Sequence, residues 1–107
     1  MMKPGRPIHP SNGIGTAPNA ASSPAGVEVS FDTGPNQTRQ ATAKVIITNL
    51  EAVGGNVLEV SFADGRDGRW FAIAPQTTVP LEIVIHRCRL RGKTGATAQY
   101  SIMAVMA

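Results

Sequence analysis

Four basic residues alternate along one short stretch of the chain, and their spacing is the sharpest chemical feature of the sequence. Arg87, Arg89, Arg91 and Lys93 are each separated by a single residue. In an extended strand, side chains two residues apart point to the same face, so all four charges would share one face. Like charges this close repel one another, and the face must therefore be solvated or paired with acidic groups.

Three interpretations of this basic stretch compete. The first is a solvated edge strand whose charges prevent pairing with other chains. The second is a docking surface for an acidic protein, in which arginine binds a carboxylate through two N–H groups. The third is a phosphate-binding surface. Sheets that bind nucleic acid carry exposed aromatic side chains for base stacking. The stretch has none, which disfavours nucleic acid. Arg87, Arg89 and Arg91 are the predicted contacts with a protein partner.

Catalytic and metal chemistry finds little support in the sequence. The two histidines are His9 and His86, and the single cysteine, Cys88, lies two residues after the second. A structural zinc site needs four ligands, and a nucleophilic triad needs an acid, a base and a nucleophile together. Asp64 and Asp67 lack the spacing of a calcium-binding EF-hand loop. We therefore predict no enzyme activity and no catalytic, cofactor-binding or metal-binding residues.

Length and composition predict one small domain. The chain has 107 residues, of which 42% are hydrophobic but only 5% aromatic, so the core must consist mainly of aliphatic side chains. The net charge of +3 is only mildly basic. One cysteine excludes an intrachain disulfide bond. The basic N-terminal residues precede no apolar run, so we predict neither a signal peptide nor a membrane-spanning segment, and expect assembly in the cytoplasm.

Residues 1–25 differ in composition from the rest of the chain. They contain five prolines and many Gly, Ser, Asn and Ala residues, without strand or helix periodicity. Such a segment cannot offset its ordering entropy by burying its own side chains. We predict a flexible or extended arm that ends near residue 25, with Ile8 and Ile14 as the apolar anchors that contact a partner.

Residues 26–107 show the alternation of apolar and polar residues that is typical of strands. No segment has helical spacing with caps. The alternating parity breaks at His86, which requires a bulge, bend or turn there. We predict an all-β fold, a small antiparallel β-sandwich or barrel of six to seven short strands. The predicted strands include 27–31, 41–48, 58–62, 69–73, 81–85 and 97–105, with a hairpin loop over 64–68.

Two further residues are candidates for packing between subunits. Trp70 and Phe71 are adjacent, so one faces each side of their strand; Trp70 is then either an interface anchor or a covered core residue. Met103 is apolar on the face opposite Tyr100 and Ile102, which indicates a central strand or one covered by another subunit.

One sequence pattern occurs twice, 31 residues apart. Val27–Gly34 reads VEVSFDTG and Leu58–Gly65 reads LEVSFADG. The similarity is compatible with duplication of a strand and turn, but two copies favour independent convergence on a common pattern.

The central and C-terminal parts resemble small structural proteins of tailed-bacteriophage virions. The resemblance rests on Leu58–Gly65 with the following Arg69–Pro75, and on Leu90–Gly92 leading to Thr97–Ser101. In such proteins a glycine-rich hairpin is followed by a strand containing Trp, and an Arg-Gly turn precedes a closing strand containing Tyr. The resemblance implies a β-sandwich or barrel that decorates a capsid or belongs to a tail or collar, without catalytic residues.

The resemblance and the residue patterns together lead to one expectation of function. We expect a capsid decoration or cement protein that stabilises the capsid, located in the virion and assembled in the host cytoplasm. Its partners would be the major capsid protein or another virion protein, with homo-oligomers in the particle and no membrane. The alternatives are a tail, collar or fibre component, or a basic module that binds nucleic acid or glycans.

Overall fold

The protein is an all-β sandwich, as the alternation predicts. The structure is a computed structural model that describes residues 13–31, 42–62 and 70–106. These residues form eight strands and no helix. The strands are β1 (Gly13–Ala17), β2 (Val27–Ser30), β3 (Thr42–Asn49), β4 (Leu58–Ser61), β5 (Trp70–Ile73), β6 (Thr78–Leu81), β7 (Arg87–Gly92) and β8 (Ala98–Met106).

The strands form two antiparallel sheets of four strands each. Sheet A has the order β1-β8-β3-β6, and sheet B has the order β2-β7-β4-β5. Each strand directs alternate side chains inward, and the inward residues of both sheets form one core that is almost entirely aliphatic. Each sheet therefore also has an outward face, and these two outer faces point away from each other.

The first strand corrects the boundary predicted between arm and domain at residue 26. Gly13–Ala17 pairs antiparallel with β8, and Ala17 is fully buried in the core. The following segment is also attached, because Ala20 N donates to the Gly92 carbonyl and Gly92 N donates to the Pro18 carbonyl. The sandwich thus includes residues 13–25, and Ile14 belongs to a strand of sheet A. Ile8 lies outside the described residues, as does the predicted hairpin loop 64–68.

The strand predicted over 81–85 is displaced toward the N-terminus. The pairing strand is β6, Thr78–Leu81, and it lies at the edge of sheet A, where Pro80 is tolerated because no further strand needs its missing N–H. Residues 82–86 instead cross from sheet A to sheet B. The parity break predicted at His86 is this crossing, since β7 begins in the other sheet at Arg87.

The crossing segment is attached to the start of β3 by one buried side chain. Thr42 Oγ1 donates to the Ile83 carbonyl at 2.7 Å and accepts from the Ile85 amide at 3.1 Å. The Thr42 amide donates to the Ile85 carbonyl at 3.0 Å. These bonds satisfy the Ile83 carbonyl and both backbone polar groups of Ile85 where the chain changes sheets.

Candidate functional site

The outer face of sheet B collects most of the residues that the sequence indicated for partner binding. We call it the arginine face. Its defining outward side chains are Arg87, Arg89 and Arg91 on β7, Glu28 on β2, Glu59 on β4 and Trp70 on β5. Because β7 lies between β2 and β4, the basic residues occupy the middle of the sheet. The interpretation of this stretch as a solvated edge strand is therefore wrong.

Arg91 contacts three separate parts of the chain. Its Nε donates to Glu59 Oε1 at 2.7 Å, and its Nη1 donates to the Pro24 carbonyl at 2.6 Å. Its Cζ lies 4.0 Å from the ring centroid of Trp70, which is the geometry of a cation–π contact. Arg91 thus connects β7 with β4, with β5 and with the segment that leads into β2.

Arg87 and Arg89 share one carboxylate. Glu28 Oε2 lies 3.5 Å from Arg89 Nη2 and 3.7 Å from Arg87 Nη1. Arg89 Nη1 also donates to the Ala25 carbonyl at 3.5 Å. The side chain of Arg87 is 51% exposed, whereas that of Arg89 is 26% exposed. On the described strands of sheet B, three arginines and two glutamates thus share one face.

The repeated sequence pattern explains how both glutamates reach this face. The two Glu-Val-Ser-Phe segments begin at Glu28 and Glu59, and their strands β2 and β4 lie on either side of β7. Glu28 is paired across the ladder with Arg89, and Glu59 with Arg91. Each Glu-Val-Ser-Phe segment therefore places a carboxylate beside an arginine of β7.

Trp70 belongs to the arginine face and not to the core. It lies opposite Ser61 in the ladder, and its ring is covered on one side by Arg91. Phe71 points inward, where it packs against the core and lies 5.5 Å from the ring of Phe62. A glycan stacking on Trp70 would have to compete with Arg91 for that side of the ring.

The outer face of sheet A is chemically different, and we call it the apolar face. Its apolar outward side chains are Ile14 on β1, Ile46 on β3, Pro80 on β6, and Met103 and Val105 on β8. Ile14 is 78% exposed and Met103 is 41% exposed. The structure thus brings two predicted partner contacts, Ile14 and Met103, onto one face. Ile46 and Pro80 were missed, although Ile46 stood out as an apolar residue on the otherwise polar side of its strand.

Cys88 and His86 do not share a site. Cys88 points into the core, where burial and, to a lesser extent, the charge of Glu28 raise the pKa of its thiol to about 12. His86 lies in the bend before β7, and its carbonyl accepts a hydrogen bond from the Phe31 amide. In the part of the chain that the structure describes, no three His, Cys, Asp or Glu residues are grouped as metal ligands would be.

No protein-family model, no curated protein and no solved structure matches the chain. Across residues 13–31, 42–62 and 70–106 there is also no helix long and apolar enough to cross a membrane. The two outer faces are therefore the features from which a function must be argued.

Proposed function

We propose that this protein is a non-enzymatic structural protein of a bacteriophage virion, and specifically a decoration or cement protein that binds capsid subunits. The observation that carries the proposal is the contrast between the two outer faces of the sandwich. One face exposes apolar side chains, and the other presents arginines held in place by glutamates and backbone carbonyls. A domain with two such faces can contact different neighbours on a lattice. Because the chain resembles small virion proteins, we propose that this lattice is a capsid.

The arginine face supplies the contact with acidic groups of the capsid. Arg87 is the best placed residue for this role, because its side chain is half exposed, whereas those of Arg89 and Arg91 are more enclosed. Arg89 and Arg91 are more enclosed and bind the carbonyls of Ala25 and Pro24. In this proposal Arg89 and Arg91 hold the arginine face together through these bonds, and Arg87 provides the exposed charge that contacts the capsid.

Residues 1–12 supply the arm of this proposal. They join the sandwich at Gly13, next to Ile14 on the apolar face, and they include Ile8. An arm of this length can extend up to roughly 40 Å. Contacts that are individually weak can together hold a small domain on a particle that offers many identical sites.

Co-sedimentation with assembled capsids tests the proposal. The full chain should bind saturably, and removal of residues 1–12 should weaken binding, as should Arg87→Glu. The control is Val53→Asp, which places a charge on an 84% exposed turn residue outside both faces. No saturable binding of the full chain to any assembled capsid would contradict the capsid role. Saturable binding to tail or collar assemblies instead would place the protein elsewhere in the virion.

A further inference from the structure

The apolar face differs from the rest of the surface in its lack of charge. The four strands of sheet A contain a single charged residue, Lys44, whereas the strands of sheet B contain five. Lys44 lies opposite Val105, close to one end of the face. The other outward residues of sheet A are aliphatic or have uncharged polar side chains. Among them are Thr48 and Thr78, whose hydroxyl groups hydrogen-bond each other at 2.9 Å.

The centre of the apolar face is a row of three apolar side chains. Ile46 pairs across the ladder with Met103 on one side and with Pro80 on the other. Ile14 lies opposite Ser101, one row along, and is therefore a diagonal neighbour of Met103. An apolar cluster at the middle of a surface, surrounded by small polar groups, is the usual arrangement of a protein–protein interface.

We infer that the apolar face binds the same face of a second copy of this chain. Because the only charge on the strands of this face, Lys44, lies near one end, the centre offers nothing that would select an acidic or a basic partner. The centre can instead meet itself across a two-fold axis without bringing like charges together. The arginine face could not do so, because Arg87, Arg89 and Arg91 of two copies would confront one another.

The geometry also fits a face-to-face dimer. Two copies of one sheet have the same twist, so they can pack aligned about 10 Å apart, as the two sheets of a sandwich do. β8 and β3 are the inner strands of sheet A. A two-fold axis through the middle of the face therefore brings Met103 and Ile46 close to their counterparts.

The size of the face sets the strength of this dimer. Four strands about 4.8 Å apart and roughly seven residues long cover on the order of 450 Å². A stable interface of standard size buries about 800 Å² on each partner. The dimer is thus weak and depends on concentration. The inference does not rest on the proposed function, since it concerns the isolated protein.

Sedimentation equilibrium of the full chain, from about 10 μM to about 1 mM, tests the inference. We expect a monomer–dimer equilibrium that Met103→Asp weakens about tenfold or more, as expected for a central interface residue. Val53→Asp is the matched control, because it makes the same kind of change at an exposed residue outside the face. Ile14→Asp is the second variant, in case Met103→Asp does not fold, since Ile14 is almost free of core contacts at 78% exposure.

Mixing two variants identifies the occupant as a second copy. Met103→Asp and Met103→Lys should each be monomeric alone, and together they should form a heterodimer that added salt dissociates. Three results overturn the inference: a full chain that is monomeric at about 1 mM, a Met103→Asp variant that dimerises like the unmodified protein, or dimerisation only after residues 1–12 are removed. A monomer that still binds particles overturns this inference alone. A dimer that binds no particle overturns only the proposed function.

Discussion

Gly15 is a position at which the fold leaves no room for a side chain. It faces inward on β1, directly beneath Tyr100 of β8. A Cβ atom placed on it would lie 2.5 Å from Tyr100 Oη and 2.6 Å from Tyr100 Cζ. The phenol ring is rigid and largely buried, so it cannot move aside as a flexible side chain would. Gly15 therefore has a packing role, whereas a Cβ atom on Gly13 would meet no other atom within 4 Å.

Replacement of Gly15 by alanine should destabilise the protein by about 1–3 kcal/mol, because the methyl group overpacks the contact with Tyr100. Chemical denaturation measures the change in the free energy of unfolding. The double variant Gly15→Ala/Tyr100→Leu is the control, since it removes the ring that causes the clash. The two substitutions should be strongly non-additive, and additive effects would contradict the contact.

Cys88 gives the stability of the protein a defined dependence on pH. The pKa of its buried thiol is about 12, compared with 9.0 for an exposed thiol. Below pH 9 the thiol is neutral in the folded and the unfolded chain. Above that pH the unfolded chain releases the proton and the folded chain retains it, so the stability falls as the pH rises toward the folded-state pKa.

The loss between pH 8 and pH 10 should be on the order of 1 kcal/mol, measured as the difference in the free energy of unfolding. Cys88→Ala should remove this part of the pH dependence. Burial also raises the pKa of Tyr100, and its contribution persists in both proteins at higher pH. Equal pH slopes for the two proteins would show that Cys88 is not the titrating group.

At the scale of elements, the arginine face joins strands that are distant in the sequence. Arg91 of β7 contacts Glu59 of β4, Trp70 of β5 and the carbonyl of Pro24. Replacement of Arg91 by methionine keeps the apolar stem but removes all three contacts. We expect a loss of about 1–3 kcal/mol in the free energy of unfolding, allowing for solvent screening of a partly exposed ion pair.

Arg87→Met is the matched control for this prediction. It lies on the same strand and face, but its side chain is half exposed and its nitrogen lies 3.7 Å from Glu28. Solvent screens the contacts of a half-exposed side chain, so the loss should be smaller than that of Arg91→Met. The two variants would be compared by their denaturation midpoints, at an unchanged slope of the unfolding free energy against denaturant concentration. Equal losses for both would mean that the contacts of Arg91 add no stability.

The crossing from β6 to β7 depends on one hydroxyl group. Thr42→Val preserves the shape of the side chain but removes both bonds to the backbone of residues 83 and 85. Leaving these backbone groups without partners should cost about 2–4 kcal/mol in the free energy of unfolding. Thr48→Val, whose hydroxyl bonds only an exposed threonine, should change it far less. A similar loss in both variants would show that the crossing does not depend on Thr42.

The strands that sequence analysis predicted well are those with strict alternation. Val27–Phe31 and Leu58–Phe62 alternate cleanly, and both contain a strand of sheet B. β1 was missed because Gly13-Ile-Gly-Thr-Ala17 has few apolar side chains to alternate. β6 was displaced because the alternation of Leu81, Ile83 and Ile85 continues beyond the last paired residue, into the crossing segment.

At the scale of the whole molecule, the N-terminal boundary has a direct experimental consequence. Removal of residues 1–25, the segment that sequence analysis predicted to be a flexible or extended arm, also removes β1 and the buried side chains of Ala17 and Ala20. We expect that protein to be unfolded or strongly destabilised, whereas removal of residues 1–12 should leave a cooperative unfolding transition. Circular dichroism on heating distinguishes the two. A stable fold without residues 1–25 would contradict the role of β1.

The candidate site could be predicted only in part, because sheet neighbours are set by long-range pairing. Alternation alone placed Arg87, Arg89 and Arg91 on one face, and the structure agrees. Whether their strand is at the edge or in the centre depends on β2 and β4, which lie far from it in the sequence. The repeated Glu-Val-Ser-Phe pattern was the available signal, since it supplies two carboxylates to neutralise the arginines.

The position of β8 also determines when the protein can fold during synthesis. This strand lies between β1 and β3, and β1 pairs with no other described strand. While Ala98–Met106 is still inside the ribosome, the first strand has no partner and the inward face of sheet A is incomplete. Pairings that join distant parts of a chain also form slowly. The apolar strands of the nascent chain must therefore be kept from pairing with other chains until β8 emerges.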